Sequence, residues 1–182
     1  MIDPLARIDL PEVETLIEDK RYFVLHAPRQ TGKTTSLLAL MHHLNGSGRY
    51  RAPYANIEGA QTARGDVAMD IGAVVQAIAR QAGTHLRDAT LSAWVAAHRH
   101  DNPNDLLSGL LATWAATEPR PAVLLLDEVD ALVGDTLISL LRQIRAGYTQ
   151  RPEAFPQTVV LCGVRDNMFA VANQSIQRSP YR

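Results

Sequence analysis

Residues 22–35, YFVLHAPRQTGKTT, carry the side chains best suited to chemistry in this chain of 182 residues. Gly32, Lys33 and Thr34 stand in order just before an apolar helical pattern. A loop of this kind wraps a chain of phosphates with its backbone N–H groups, while its lysine binds the β- and γ-phosphates and its hydroxyl ligates Mg²⁺. The sequence therefore predicts a phosphate-binding loop at the N-terminus of a helix, where the helix dipole also attracts anions.

The predicted loop departs from the usual GxxxxGK[ST] pattern at one position, because Ala27 stands where the first glycine is expected. Lys33 is distinctive, since Lys20 is the only other lysine among 18 basic residues. The alternative interpretation is a helix that begins beside an incidental lysine. On the phosphate-loop interpretation, a run of consecutive residues would bind the nucleotide. These residues are Ala27, Pro28, Arg29, Gln30, Thr31, Gly32, Lys33, Thr34 and Thr35.

A second group of candidate side chains lies in the segment VLLLDEVD, residues 123–130. A carboxylate at the end of a buried strand can hold Mg²⁺ together with the loop hydroxyl, and Asp127 is placed to do so with Thr34. A neighbouring carboxylate can take a proton from an attacking water, so Glu128 is the candidate general base. The alternative is a solvated strand end, and Asp130 is interpreted as a helix cap or a surface charge. Together with the phosphate loop, the segment favours nucleotide chemistry.

Strand and helix patterns alternate around these two groups, with apolar runs predicting strands and a spacing of three or four residues predicting helices. The predicted strands are residues 21–26, 50–58, 122–126 and 158–162. The predicted helices are residues 11–19, 32–44, 66–82, 86–97, a segment after the turn at 101–105, and 135–147. Pro53 suits an edge strand, Gly83 is expected to end one helix and Asp135 to cap another. The alternation predicts a three-layer α/β fold with a parallel sheet, in one domain over residues 1–182.

Composition restricts the classes of function and the compartment. The hydrophobic fraction of 46% allows a sizeable core, and a net charge of −1 gives no support for binding to nucleic acid or to an acidic membrane. The single cysteine, Cys162, excludes an intramolecular disulfide and is predicted to be a small buried hydrophobe. The N-terminus lacks the pattern of a signal peptide, and no apolar run approaches the ~20 residues of a membrane span. We therefore expect a cytoplasmic protein.

With both motifs in view, residues 10–170 resemble the AAA+ and STAND group of P-loop ATPases. APRQTGKTT is similar to their Walker A motif and VLLLDEVD to their Walker B motif. The resemblance implies a sheet with strand order 5-1-4-3-2, in which the phosphate-loop strand lies beside the strand at 158–162. It also implies ATP and Mg²⁺ as ligands and assigns catalytic roles to Lys33 and Glu128.

Further expectations come from the same resemblance. The pattern VVLCGVRD is similar to the strand-then-Arg-Asp pattern of STAND proteins, in which the arginine senses the γ-phosphate, and this implies a sensor role for Arg165. The alternative is a surface arginine paired with Asp166. The segment at 7–10 is expected to form a wall of the adenine pocket. The sequence is also compatible with a longer protein, in which a helical lid or winged-helix module follows residue 182.

Several functions remain open at this level. The first is an ATPase in which Glu128 activates water. The second is a switch with slow or no turnover. Its ATP-bound and ADP-bound states would bind different partners, either another protein or a second copy of the chain. A small-molecule kinase is less favoured because Glu128 after Asp127 suits water as the acceptor, and a GTPase because no NKxD-like element is found. Arg142, Arg145 and Arg151 are interpreted as a solvated basic face, with a role as an arginine finger in trans as the alternative.

Overall fold

In the computed structural model of this chain, residues 3–26, 31–63, 66–163 and 176–179 are described. A short 3-10 turn (Pro4–Arg7) precedes the first helix. The helices are α1 (Leu10–Glu18), α2 (Lys33–Gly46), α3 (Val67–Leu86), α4 (Thr90–His98), α5 (Pro103–Ala116) and α6 (Gly134–Ala146). The strands are β1 (Tyr22–His26), β2 (Tyr54–Asn56), β3 (Val123–Asp127), β4 (Thr158–Gly163) and β5 (Ile176–Ser179).

The strands form one parallel sheet with the order β2-β3-β4-β1-β5. This confirms the predicted order and places the phosphate-loop strand β1 beside β4, with Val24 opposite Leu161. The edge position predicted for β2 is confirmed as well. The fifth strand was not located from the sequence, because its four residues carry too short a pattern to be distinguished from a loop. Its pairing with β1, Tyr22 opposite Ile176, is what defines it.

Two apolar cores cover the two faces of the sheet. Phe23, Leu25 and Leu125 face α1 and α2, whereas Val24 and Leu124 face α3, α5 and α6. The central strands are buried on both sides, which explains their continuous apolar runs. α4 packs on α3 and α5, outside the sheet. The three-layer α/β fold predicted from the sequence is therefore confirmed.

The ends of three elements differ from the sequence predictions. α3 continues through Gly83 and ends at Leu86, where Arg87 adopts the left-handed conformation with φ 56°. Glycine is tolerated inside a helix at a cost of about 1 kcal/mol, and tertiary packing decides where the helix ends. Asp135 does not cap α6 but lies within its first turn. β2 is shorter than expected, because Pro53 cannot donate a ladder hydrogen bond.

None of the helices in the described part of the chain combines the length and apolar character needed to cross a bilayer.

Candidate nucleotide-binding site

The residues of the two predicted motifs meet at the carboxyl edge of the sheet. Asp127 is the last residue of β3, and Thr34 lies in the first turn of α2, the helix that follows β1. The hydroxyl of Thr34 donates a hydrogen bond of 2.7 Å to Oδ2 of Asp127. Parallel strands place their carboxyl ends at the same edge of a sheet, which is why residues far apart in sequence come into contact here.

Asp127 is fully buried and accepts hydrogen bonds on both carboxylate oxygens. Oδ2 also accepts a hydrogen bond of 3.0 Å from the Tyr54 hydroxyl, and Oδ1 accepts one of 2.9 Å from the backbone N–H of Glu128. A buried carboxylate requires such donors because its removal from water is costly. Burial and the adjacent Asp127 raise the pKa of Tyr54 well above its usual range, so the phenol remains a donor.

Sequence reasoning missed Tyr54. It lies on the neighbouring strand, two residues before the position that pairs with Asp127, so that its side chain shares the face of the sheet occupied by that carboxylate. A polar aromatic residue near the end of a predicted strand was the available signal. The signal becomes specific only when the register between β2 and β3 is known.

Glu128 follows Asp127 directly and is partly buried. Its backbone is left-handed, with φ 58°, a conformation that a residue with a Cβ adopts at a cost of about 1–2 kcal/mol. Burial, and then the charges of Asp127 and Asp130, raise the pKa of the Glu128 carboxyl, while Lys33 lowers it. The raised pKa suits a group that accepts a proton near neutral pH.

The phosphate loop ends in a glycine that no other residue could replace without strain. Gly32 has φ 83°, and a Cβ at this position would overlap the guanidinium of Arg7. Arg7 donates a hydrogen bond of 3.1 Å from Nη1 to the carbonyl of Thr31, and Ser36 donates one of 2.9 Å to the carbonyl of Pro4. The N-terminal 3-10 turn is thus docked on the loop end and on α2.

Lys33, the first residue of α2, is buried, whereas Thr34 and Thr35 are exposed. The other predicted loop residues, Ala27, Pro28, Arg29 and Gln30, lie outside the described residues. The predicted sensor Arg165 and its neighbour Asp166 also lie outside them. Arg7, the first residue of the adenine wall expected at residues 7–10, contacts the end of the phosphate loop. The adenine wall itself stays a prediction.

Two predictions about charged residues were wrong. Asp130 is not at the surface but is buried, and its Oδ1 has no hydrogen-bond partner within the described residues. Arg151 is not part of a solvated face, because its guanidinium stacks on the ring of Tyr148 and its Nη1 donates to the carbonyl of Gln157. Arg142 and Arg145 do lie exposed on α6.

Thr34 and Asp127 fit a Mg²⁺ site. Both supply hard oxygen atoms, which Mg²⁺ prefers, and their hydrogen bond shows that the two groups lie within reach of a common position. Within the described ranges, no group of three or more His, Cys, Asp or Glu residues could hold a metal. A Mg²⁺ site does not require such a group, because Mg²⁺ is commonly bound by one or two protein groups together with water and substrate phosphates.

Cys162 of β4 is buried, as predicted. Its burial, and then the nearby charge of Asp127, raise the pKa of the thiol well above its usual range. The side chain therefore remains an uncharged thiol, consistent with a packing role rather than with a nucleophile.

Comparisons with known proteins agree with this fold. A family model described as an AAA domain matches residues 16–167, which is most of the chain. The chain therefore belongs to the AAA domain family. It is a P-loop AAA+ ATPase nucleotide-binding domain.

Among the solved structures similar to this chain are one from Drosophila and one from Pyrobaculum aerophilum. A chain of Drosophila ORC bound to DNA is 15% identical, with a TM-score of 0.61 and coverage of 97% of this chain and 29% of the ORC chain. Cdc6p from Pyrobaculum aerophilum is 16% identical, with a TM-score of 0.52 and coverage of 96% and 44%. This chain therefore spans less than half the length of either protein, and at these identities the similarity establishes the fold alone. No curated protein sequence matches the chain.

Proposed function

We propose that this domain binds ATP with Mg²⁺ and hydrolyses it to ADP and phosphate. The observation that supports the proposal best is the 2.7 Å hydrogen bond between Thr34 of the phosphate-loop helix and Asp127 at the end of β3. It brings a hydroxyl and a carboxylate together beside a buried lysine and a second carboxylate, as metal-dependent phosphoryl transfer requires.

In this proposal the loop residues 27–35 bind the phosphates through backbone N–H groups, and Lys33 contributes the positive charge. Thr34 and Asp127 hold Mg²⁺, which supplies positive charge to the β- and γ-phosphate oxygens when bound. Lys33 opens a helix of 14 residues, whose N-terminal end also favours anions.

Glu128 is the proposed general base. It takes one proton from the attacking water, whose oxygen forms a bond to the γ-phosphorus as the bond to the ADP oxygen breaks. The backbone N–H of Glu128 donates to Oδ1 of Asp127, which orients the carboxylate of the proposed metal ligand beside the proposed base. Water as the acceptor distinguishes this reaction from that of a kinase.

The Glu128→Gln variant tests this assignment. We expect ATP binding to be kept, because the amide has nearly the same shape, and turnover to fall by roughly 100-fold or more because the amide cannot accept the proton. Steady-state phosphate release and calorimetric ATP binding measure the two effects. Glu153→Gln is the matched control, since Glu153 is an exposed glutamate far from the motif in sequence. Undiminished turnover of Glu128→Gln would refute the role of Glu128.

The second candidate function is an ATP/ADP switch with slow turnover, which controls a protein partner. The contact between Arg7 and the Thr31 carbonyl favours it, because a change in the phosphate loop would be transmitted to the N-terminal turn. Another similar structure, Drosophila ORC bound to GC-rich DNA and Cdc6, offers a precedent for partners, with 14% identity and a TM-score of 0.60. For this chain we propose a protein partner or self-association, with nucleic acid not supported by its net charge of −1.

The Arg165→Ala variant tests the switch. If Arg165 senses the γ-phosphate, its loss should reduce the ratio of ATP to ADP affinity by about tenfold, since hydrogen bonds to charged groups contribute ~1.5–3 kcal/mol each. Calorimetric titrations with both nucleotides measure the ratio. The control is Arg145→Ala, because Arg145 is exposed on α6. An unchanged ratio in Arg165→Ala would remove the sensor from the proposal.

The remaining proposals concern organisation and location. One sheet with helices on both faces supports a single domain over residues 1–182. A lone buried cysteine suits a reducing compartment, and we propose the cytoplasm.

A further inference from the structure

Tyr54 connects the edge strand to the candidate metal site. Its side chain is 7% exposed, and its hydroxyl donates to Oδ2 of Asp127 at 3.0 Å. The same oxygen accepts the hydrogen bond from Thr34, so two hydroxyl groups from two different elements converge on one carboxylate oxygen. Of these two residues, Thr34 belongs to the phosphate-loop helix and is exposed, whereas Tyr54 belongs to the sheet.

This difference in location separates the roles of the two residues. An exposed hydroxyl at the N-terminus of α2 is accessible to a nucleotide and its metal, but a buried phenol is not. Tyr54 therefore acts on the site through Asp127. The other carboxylate oxygen is held by the backbone of Glu128, so Tyr54 and Glu128 together limit rotation of the carboxylate. Groups that bond to metal ligands in this way typically change metal affinity or activity by 10–100-fold when they are removed.

We propose that Tyr54 is a positioning residue that orients Asp127 for Mg²⁺, an inference that rests on the proposed function of Asp127. The edge strand β2 thereby contributes to the site, although it supplies no group that touches the nucleotide. The inference differs from a purely structural role for the tyrosine, in which its ring would only fill the core beside α2.

The test is the Tyr54→Phe variant, which removes the hydroxyl and keeps the ring. Calorimetry would measure ATP affinity in Mg²⁺ and in EDTA, and a Mg²⁺ titration at fixed ATP would give the metal concentration for half-maximal binding. We expect this concentration to rise by roughly tenfold in Tyr54→Phe, while affinity in EDTA and the melting temperature stay close to those of the parent. The matched control is Tyr50→Phe, because Tyr50 is also 7% exposed and lies in the same core. Its neighbour Arg51 pairs with Ala122 just before the start of β3, whereas Asp127 ends β3, so Tyr50 lies away from the site.

The outcomes separate the inference from the proposed function. If Tyr54→Phe has the same Mg²⁺ requirement as Tyr50→Phe and the parent, the inference is overturned and the proposed function stands. If affinity falls equally in Mg²⁺ and in EDTA, or the variant fails to fold, the role of Tyr54 is structural and the inference is again overturned. If the parent itself binds ATP no better with Mg²⁺ than with EDTA, the metal role of Asp127 fails, and the inference fails with it.

Discussion

Asp127 is a buried carboxyl group, and hydrogen-bond donors from different segments of the chain meet at it. Thr34 comes from α2, Tyr54 from β2 and the Glu128 backbone from the turn after β3. An unpaired buried carboxylate would shift its protonation or destabilise the fold by several kcal/mol. These donors satisfy both carboxylate oxygens of Asp127 inside the protein. A carboxylate held in this way is available to a metal ion at the exposed end of the strand.

His85, near the end of α3, gives the protein a pH-dependent contribution to stability. Its Nδ1 lies 3.4 Å from the backbone N–H of Tyr54, and burial, then the charge of His42, lower its pKa. The unfolded chain, with an ordinary pKa of about 6.5, therefore binds a proton more readily than the folded protein. The stability from the neutral imidazole is present above the unfolded pKa and is lost as the pH falls below it, towards the lower folded pKa.

Replacement of His85 by Asn should therefore make stability less sensitive to acid. Between about pH 7.5 and about pH 5.5, the free energy of unfolding should fall less in His85→Asn than in the parent. Urea denaturation followed by circular dichroism measures the difference. His100→Asn serves as the control because His100 is exposed. Equal slopes for His85→Asn and the parent would show that His85 is not the group responsible.

At the scale of elements, Arg51 joins the edge of the sheet to the end of α5. Its guanidinium is buried and donates to several carbonyl groups near the end of this helix, among them those of Trp114 and Glu118, and to the hydroxyl of Thr117. The last carbonyls of a helix lack partners within the helix and carry partial negative charge. One planar cation satisfies several of them at once and also lies over the Trp114 ring.

Lysine should not replace Arg51 well, because a compact ammonium cannot make bonds in a planar fork. We expect Arg51→Lys to lower the free energy of unfolding by about 3 kcal/mol, since hydrogen bonds to charged groups are worth about 1.5–3 kcal/mol each. Urea denaturation measures the loss. Arg49→Lys is the matched control, as Arg49 is exposed and bonded to Glu18 at the surface. A similar small effect in both variants would contradict the role of the fork.

At the scale of the whole molecule, the site lies at the edge of the sheet where the helices that follow β1 and β3 turn to opposite faces. α2 follows β1 and packs on one face, and α6 follows β3 and packs on the other. Helices that diverge in this way leave a crevice at the carboxyl ends of the strands, which is where open α/β sheets bind ligands. β4 separates β1 from β3, so the crevice has a floor that is buried on both faces.

The sequence by itself determined the α/β class, most helices and strands, and the residues of both motifs. These features depend on local patterns: continuous apolar runs in buried strands, helical spacing, and a glycine, lysine and threonine placed before a helix. Local patterns do not specify a strand as short as the four residues of β5. They also do not specify where a helix ends, as at Arg87.

The tertiary structure alone decided which side chains meet at the site. The bond from Tyr54 to Asp127 requires the register of β2 on β3, and the docking of Arg7 against Gly32 requires the N-terminal turn to pack on α2. The burial of Asp130 likewise depends on how the turn after β3 packs. Each contact joins segments whose separation in space is set by strand order and packing, and no local pattern of residue types encodes that separation.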